Sequence, residues 1–189
     1  KPVIVVLVSG KPFAISWEKE HIPAIIAQWY GGEQEGYAIA DVLFGKVNPS
    51  GHLTYSFPQS AGHLPVYYNH LPSDKGFYKR PGSYRQSGRD YVFSSPEPLW
   101  AFGHGLSYTT FSFDKMRCDK NGYVLGDTIE VKVQIRNTGL RMGKEVVQLY
   151  IRDLVSSVVT PVKQLKAFVK PELKPGEQKE VTLQVPVSE

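Results

Sequence analysis

"PAIIAQWYGGEQEGYAIADVLFG", residues 23–45, runs from an apolar segment through two glycines and two acids into a helical pattern. Ala24 to Trp29 reads as a strand. From about 34 to 44, Tyr37, Ala40, Leu43 and Phe44 share one stripe, and Ile39 joins Leu43 at the i,i+4 spacing. Gly45 stands where a helix ends in left-handed backbone. A strand feeding a helix predicts an α/β layer. Glu33 and Glu35 sit at the junction and pose the functional question. Residues i and i+2 do not face each other on a helix. Acids in a first helical turn meet the positive end of the dipole. Both are therefore assigned to the helix start rather than to acid/base chemistry. Gly31 and Gly32 do not make a phosphate cradle, because the acids would repel phosphate and the lysine of a P-loop is missing.

Working outward, Val3 to Val8 is a continuous β-branched run, the pattern of a strand buried on both faces. Phe13 to Trp17 is expected as a further short strand, "NPSG" (48–51) as a turn and "HLTYSF" (52–57) as another strand. Residues 58–105 lose periodicity and are rich in Pro, Gly, Tyr and Ser. Irregular stretches of that length are usually functional loops or linkers. Residues 74–91 concentrate Lys75, Lys79, Arg80, Arg85 and Arg89 among Phe77, Tyr78, Tyr84 and Tyr91, against Asp74 and Asp90.

After about 111 the pattern becomes all-β. Ile129, Val131, Val133 and Ile135 alternate with Glu130, Lys132 and Gln134, a half-buried strand. "EVVQLYIRD", "KQLKAFVK" and "EVTLQV" follow as strands, and residues 112–116 offer a fifth. Strands spaced by turn signals predict a β-sandwich, which in full form has about seven strands.

Composition removes several classes. The 189 residues are 41% hydrophobic and 21% charged, within the ordinary range for a globular chain. A net charge of +4 without a dense basic face argues against nucleic acid as partner. No apolar run approaches the roughly 18 residues needed to span a bilayer, so no membrane partner is expected. Cys118 is the only cysteine, which rules out an internal disulfide. His21, His52, His63, His70 and His104 lack metal-ligand spacing. His104, between two glycines, is expected to close a turn. No G-x-S-x-G nucleophile motif occurs. Neither a metal nor another cofactor is expected.

Several long motifs stand in one family's order. "VVLVSGKPFAISW", the 23–58 block, "LPVYYNH", "LWAFGHGLSYTTF" and "NTGLRMGKEVVQLYIRD" through "PVKQLKAFVKPELKPGEQKEV" together resemble the C-terminal part of glycoside hydrolase family 3, most like its β-glucosidases. The resemblance implies the end of an α/β sandwich domain over 1–65, a connecting loop region over 66–110 and a fibronectin type III-like β-sandwich over 111–189. It implies that this last domain continues beyond Glu189. Both catalytic carboxylates would lie outside the chain, since the barrel's S/T-D-W type motif is absent and the acid/base Glu usually precedes the first strand here. The missing barrel and sandwich portion, in the same or a separate chain, becomes the expected partner, and a homodimer is open.

The function so implied is part of a retaining, exo-acting β-glucosidase acting on β-glucosides and short β-glucans, periplasmic or secreted. The alternatives are a β-xylosidase-type member or a non-catalytic scaffold or binding module. Catalytic residues within the chain are expected to be none. For substrate contact, Tyr78 and Tyr84 offer ring faces, and Arg85 and Arg89 offer hydrogen-bond donors. The competing expectation for the same loop is a solvated surface over packed tyrosines.

Overall fold

A computed structural model describes residues 1–72, 85, 95 and 97–187. Two compact units form, and they interleave along the chain. The first takes Lys1–Phe44, Leu53–His104 and Asp153–Val162; the second takes Gly45–His52, Gly105–Arg152 and Lys163–Glu189.

In the first unit, β1 (Ile4–Leu7) and β2 (Ala24–Ala27) pair in parallel, Ile4 opposite Ala24 and Leu7 opposite Ala27. Between them runs α1 (Ser16–His21), where a strand was expected. The helix wins because Glu18 sits in its first turn and Lys19 and His21 in its last, matching the dipole, while Trp17 stacks on His21 at 4.5 Å. Only Ile15, just before the helix, is buried. α2 (Glu35–Leu43) forms as expected, and Gly45 follows it at φ +72°. Its inward side differs from the expected stripe: Ile39, Ala40 and Val42 are half-buried, whereas Tyr37 and Phe44 are exposed. β1 also departs from expectation. Val3, Ile4 and Val8 are about half exposed, so the described residues cover only part of this strand. The expected strand at 52–57 shrinks to one bridge, Phe57 against Trp100. Ile15, Phe57 and Leu99 form the core, packed against Leu7, Ile25, Trp29 and Trp100.

The second unit is a β-sandwich. One layer orders β3 (Phe111–Cys118), β4 (Thr128–Asn137) and β9 (Gln178–Pro186) as β3-β4-β9, all antiparallel. β4 and β9 hold an unbroken register from Thr128 opposite Pro186 to Arg136 opposite Gln178. Every second residue turns inward, as the alternation predicts: Val131, Val133 and Ile135 meet Val181 and Leu183. The opposite layer pairs β6 (Val147–Ile151) with β7 (Gln164–Val169). Two short strands, β5 (Gly143–Lys144) and β8 (Glu172–Leu173), extend the same ribbon. Pro171 interrupts it, since proline has no N–H to donate; its carbonyl still accepts from the Glu145 N–H at 3.2 Å.

Asn137 ends β4 on the inward register and is completely buried. Its Nδ2 donates to the carbonyls of Arg141 at 2.7 Å and Leu173 at 3.0 Å. Its Oδ1 accepts from the Thr109 hydroxyl at 2.8 Å and the Gly139 N–H at 3.0 Å. All four of the amide's hydrogen-bonding positions are used.

Candidate functional site

The loop region stands on a fastened base. Residues 53–59 and 97–104 run side by side, joined by Leu53 N–H to the His104 carbonyl at 2.8 Å, Gly103 N–H to Leu53 at 2.7 Å and Leu99 N–H to Phe57 at 2.7 Å. Side chains add to the seam. Ser56 Oγ accepts from the Phe102 N–H at 3.1 Å, and Gln59 Nε2 donates to the Glu97 carbonyl at 2.6 Å. Lys19 donates to the Leu99 carbonyl at 2.6 Å, with its ammonium 5.3 Å from the centre of the Trp100 ring. Phe57 meets Trp100 edge-on at 5.6 Å, and Tyr68 stacks on Phe102 at 4.1 Å. A loop held this way starts and ends on rigid, mostly apolar supports, the arrangement in which loops carry binding groups.

Of the four candidate substrate-contact residues, Arg85 lies in a bend and is exposed. Tyr78, Tyr84 and Arg89 lie outside the described residues. His104 closes a turn through its N–H to the Ala101 carbonyl at 3.0 Å, as expected.

Glu35 opens α2, and its carboxylate accepts from the Gly31 N–H at 3.0 Å. Glu33 sits in the turn before it and is exposed. Glu35 thus lies in the first turn of α2, as expected, while Glu33 falls just before the helix. The approach to α2 is strained: Trp29 holds φ at 61°, unusual for a bulky residue, and Gly32 follows at 74°. This brings the loops after β1 and β2 into contact. A Cβ on Gly10 would lie 2.9 Å from the Tyr30 ring. The carboxyl ends of parallel strands are where ligands bind in open α/β layers.

In the sandwich unit, sequence reading passed over two polar clusters. Asn48, within the expected turn, accepts at Oδ1 from the Ser107 hydroxyl and the Tyr108 N–H, both at 2.8 Å, and donates to the Met142 carbonyl at 3.0 Å. His52 stands 3.0 Å from Glu145 through Nε2 and 3.2 Å from Gln148 Nε2 through Nδ1. With the Gln148 amide donating, Nδ1 accepts and Nε2–H donates to Glu145. Tyr150 donates its hydroxyl to the other end of the same amide. These bonds tie 48–52 to β6 and the residues before it, which makes the cluster a structural bracket. Among the described residues no group of three His, Cys, Asp or Glu could hold a metal, and no helix is long and apolar enough to cross a membrane.

The profile of the glycosyl hydrolase family 3 C-terminal domain matches residues 1–108, and that of the fibronectin type III-like domain matches 145–189. A β-xylosidase of Formosa agariphila is 45% identical over 185 residues, 98% of this chain and 24% of its own length. A periplasmic β-glucosidase of Salmonella typhimurium is 41% identical over 188 residues, 99% of this chain and again 24% of its own. Among solved structures, the β-glucosidase of Listeria innocua in complex with isofagomine superposes with a TM-score of 0.90 at 37% identity, over 99% of this chain and 26% of that one. This chain thus spans about a quarter of the length of these relatives. The chain belongs to glycoside hydrolase family 3, as its C-terminal α/β domain followed by a fibronectin type III-like domain.

Proposed function

We propose that this chain is the C-terminal portion of a retaining, exo-acting β-glucosidase that removes terminal β-D-glucosyl residues from β-glucosides and short β-glucans. The observation that carries this is similarity along the whole chain to relatives named β-glucosidases that are about four times as long. The chemistry belongs to the part outside residues 1–189. There an Asp forms the glycosyl-enzyme, and a Glu protonates the leaving oxygen and then activates water. The 189 residues alone are inactive. Their share is architecture, along the division 1–65, 66–110 and 111–189, and one border of the sugar site.

That border is the loop on the fastened base. Tyr78 and Tyr84 stack on the C–H face of a glucosyl ring, and Arg85 and Arg89 donate to its hydroxyls. A neutral glucoside offers no charge to steer, so short-range contact is what these groups supply. The location is periplasmic or secreted, in line with the periplasmic relative. A second reading, β-xylosidase activity, draws on the relative of that name at 45% identity.

The test is kinetics of the complete protein on aryl β-glucosides and aryl β-xylosides, with the anomer of the first-formed sugar followed by NMR. Glucoside preference with β-glucose released first is expected. Xyloside preference favours the second reading. First release of the α-anomer rejects retention, and no turnover of either series leaves only a scaffold.

A further inference from the structure

Tyr30 is 75% exposed, yet the chain on both sides of its ring is tied down. On the β1 side, the buried Ser9 closes a tight turn: its hydroxyl donates to the Lys11 carbonyl at 3.0 Å and accepts from the Lys11 N–H at 3.2 Å. Gly10, inside that turn, seats the ring, since a Cβ there would lie 2.9 Å from Tyr30 Cε2. On the α2 side, Gly31 lies against Glu35; a Cβ on it would come within 2.6 Å of the Glu35 Cβ, and its N–H is taken by the Glu35 carboxylate. Trp29 turns the chain between these two contacts. At φ 61° its indole packs on the core, 6.3 Å from Phe57, while the next residue, Tyr30, stays exposed. A strained bulky residue and two close glycine contacts thus hold in place a ring that buries little. Backbone strain of this kind gathers at ligand clamps. The carboxyl ends of β1 and β2 are also the edge at which open α/β layers bind ligands.

We propose that the Tyr30 ring is a stacking platform for a pyranose unit of a β-linked glucan. The inference rests on the β-glucosidase reading for the kind of sugar, and it adds a residue that touches that sugar. In a β-glucosyl unit every ring substituent is equatorial. Both ring faces therefore carry only C–H bonds and are apolar, while the hydroxyls line the rim. The face of a tyrosine is apolar and carries the negative part of its quadrupole, which meets such C–H groups, and its hydroxyl stays in water. Glu33, exposed in the turn that follows, supplies an acceptor for sugar hydroxyls from the same loop. A ring fixed before binding avoids the ordering cost that a mobile side chain incurs.

The test is calorimetric binding of sulfur-linked β-gluco-oligosaccharides, which resist hydrolysis, to the complete protein, with melting temperatures measured beside it. Tyr30→Ala is expected to weaken binding of the longer oligomers roughly 10-fold and Tyr30→Phe hardly at all, since the ring face carries the contact. Gly10→Ala displaces the ring from its seat without touching the sugar, and a loss of about 3-fold at a nearly unchanged melting temperature is expected. Unchanged affinity in Tyr30→Ala overturns the proposal, whatever the melting temperature does, as does a wild-type protein that binds no oligomer. An equal loss in Tyr30→Phe overturns it too, because the hydroxyl would then make the contact. Kinetics on aryl β-glucosides separate this outcome from the reading beneath it. A protein that hydrolyses them, and binds oligomers equally well with and without the Tyr30 ring, keeps its function and loses the platform.

Discussion

The two units bury their residues by opposite means. In the sandwich, one end is sealed by its own groups: Ile135, Leu173 and Asn137 are fully buried, and the amide of Asn137 spends every hydrogen-bonding position on chain close by. Among the described residues the α/β unit has three buried apolar core residues, Ile15, Phe57 and Leu99, none of them completely enclosed, and β1 and the outer side of α2 stay half bare. Its order is concentrated instead in the seam between 53–59 and 97–104. One unit is organised around itself, the other around a loop it presents.

The largest expected effect tests the first half of that contrast. Asn137→Leu keeps the size but strands two carbonyls, a hydroxyl and an N–H in the interior, and each buried unsatisfied group costs about 1–3 kcal/mol. Loss of roughly 3 kcal/mol or more is expected, measured as lost hydrogen-exchange protection in β4 and β9 of the complete protein. Asn48→Ala, whose three bonds lie nearer solvent, should cost about half as much. Equal and small losses in both would erase the distinction between sealed and open regions.

Next in size are the loop variants, which test the other half. Arg85→Ala and Arg89→Ala in the complete enzyme should each raise KM by roughly 10- to 100-fold with kcat unchanged, the mark of binding equally strong in ground and transition states. Disaccharides and longer oligomers should be compared. Wild-type KM on every substrate in both variants would make the loop a surface feature.

A pair of glycines gives a smaller contrast. At Gly139 an added Cβ meets Thr109 Oγ1 and the Thr110 backbone nitrogen, which cannot step aside. At Gly10 it meets the outer edge of the exposed Tyr30 ring, which can. Gly139→Ala should cost about 1–3 kcal/mol, as overpacking does, and Gly10→Ala well under 1. Thermal melts of the two variants decide it.

How much of this was legible beforehand depended on whether local pattern or distant contact set the structure. The alternation of Ile129 to Ile135 gave β4 and, by the same rule, the inward place of Asn137. A polar residue on an apolar register was a signal of a buried bracket, and it was readable in "QIRNTG". Phe13 to Trp17 misled because its apolar run is anchored by Ile15 alone, while the helical pairing of Trp17 with His21 lay one turn further on. Val3 to Val8 carries the composition of a doubly covered strand, but the described residues supply cover for only part of it. The two-residue strands β5 and β8 were invisible because their pairing is set by register across the sheet, not by their own residues. The His52–Glu145 and Asn48 brackets join positions 59 or more apart, beyond any local pattern. At the candidate site only residue types were legible, and the seam holding the loop was not.

The smallest effect is one of pH, in the turn between β3 and β4. Asp119 is held below the usual carboxylate range by the Tyr123 hydroxyl and then the Glu130 N–H; Asp127 by the Val124 N–H and then Lys120; Glu130 by Lys132 and then Gln184. Lowered carboxylates stabilise fully above their unfolded value, about 4, and lose that contribution as pH falls through the folded values. Tyr123 is raised by its bond to Asp119, so its contribution is present below about pH 10 and is lost as pH rises further. Amide exchange at Val124 and Glu130, corrected for intrinsic rate, should be slowest between these limits. Asp119→Asn should flatten the acid side, whereas an unchanged acid limb would remove Asp119 from the account.

The central claim, that the reacting carboxylates lie outside these residues, is open to one direct measurement. The complete enzyme is inactivated with a 2-deoxy-2-fluoro-β-glucosyl fluoride, which traps the covalent intermediate of a retaining glycosidase, and the labelled peptide is mapped by mass spectrometry. A single ester on an Asp outside residues 1–189 is the predicted result. An ester on Glu33, Glu35 or any other carboxylate within this chain would contradict it.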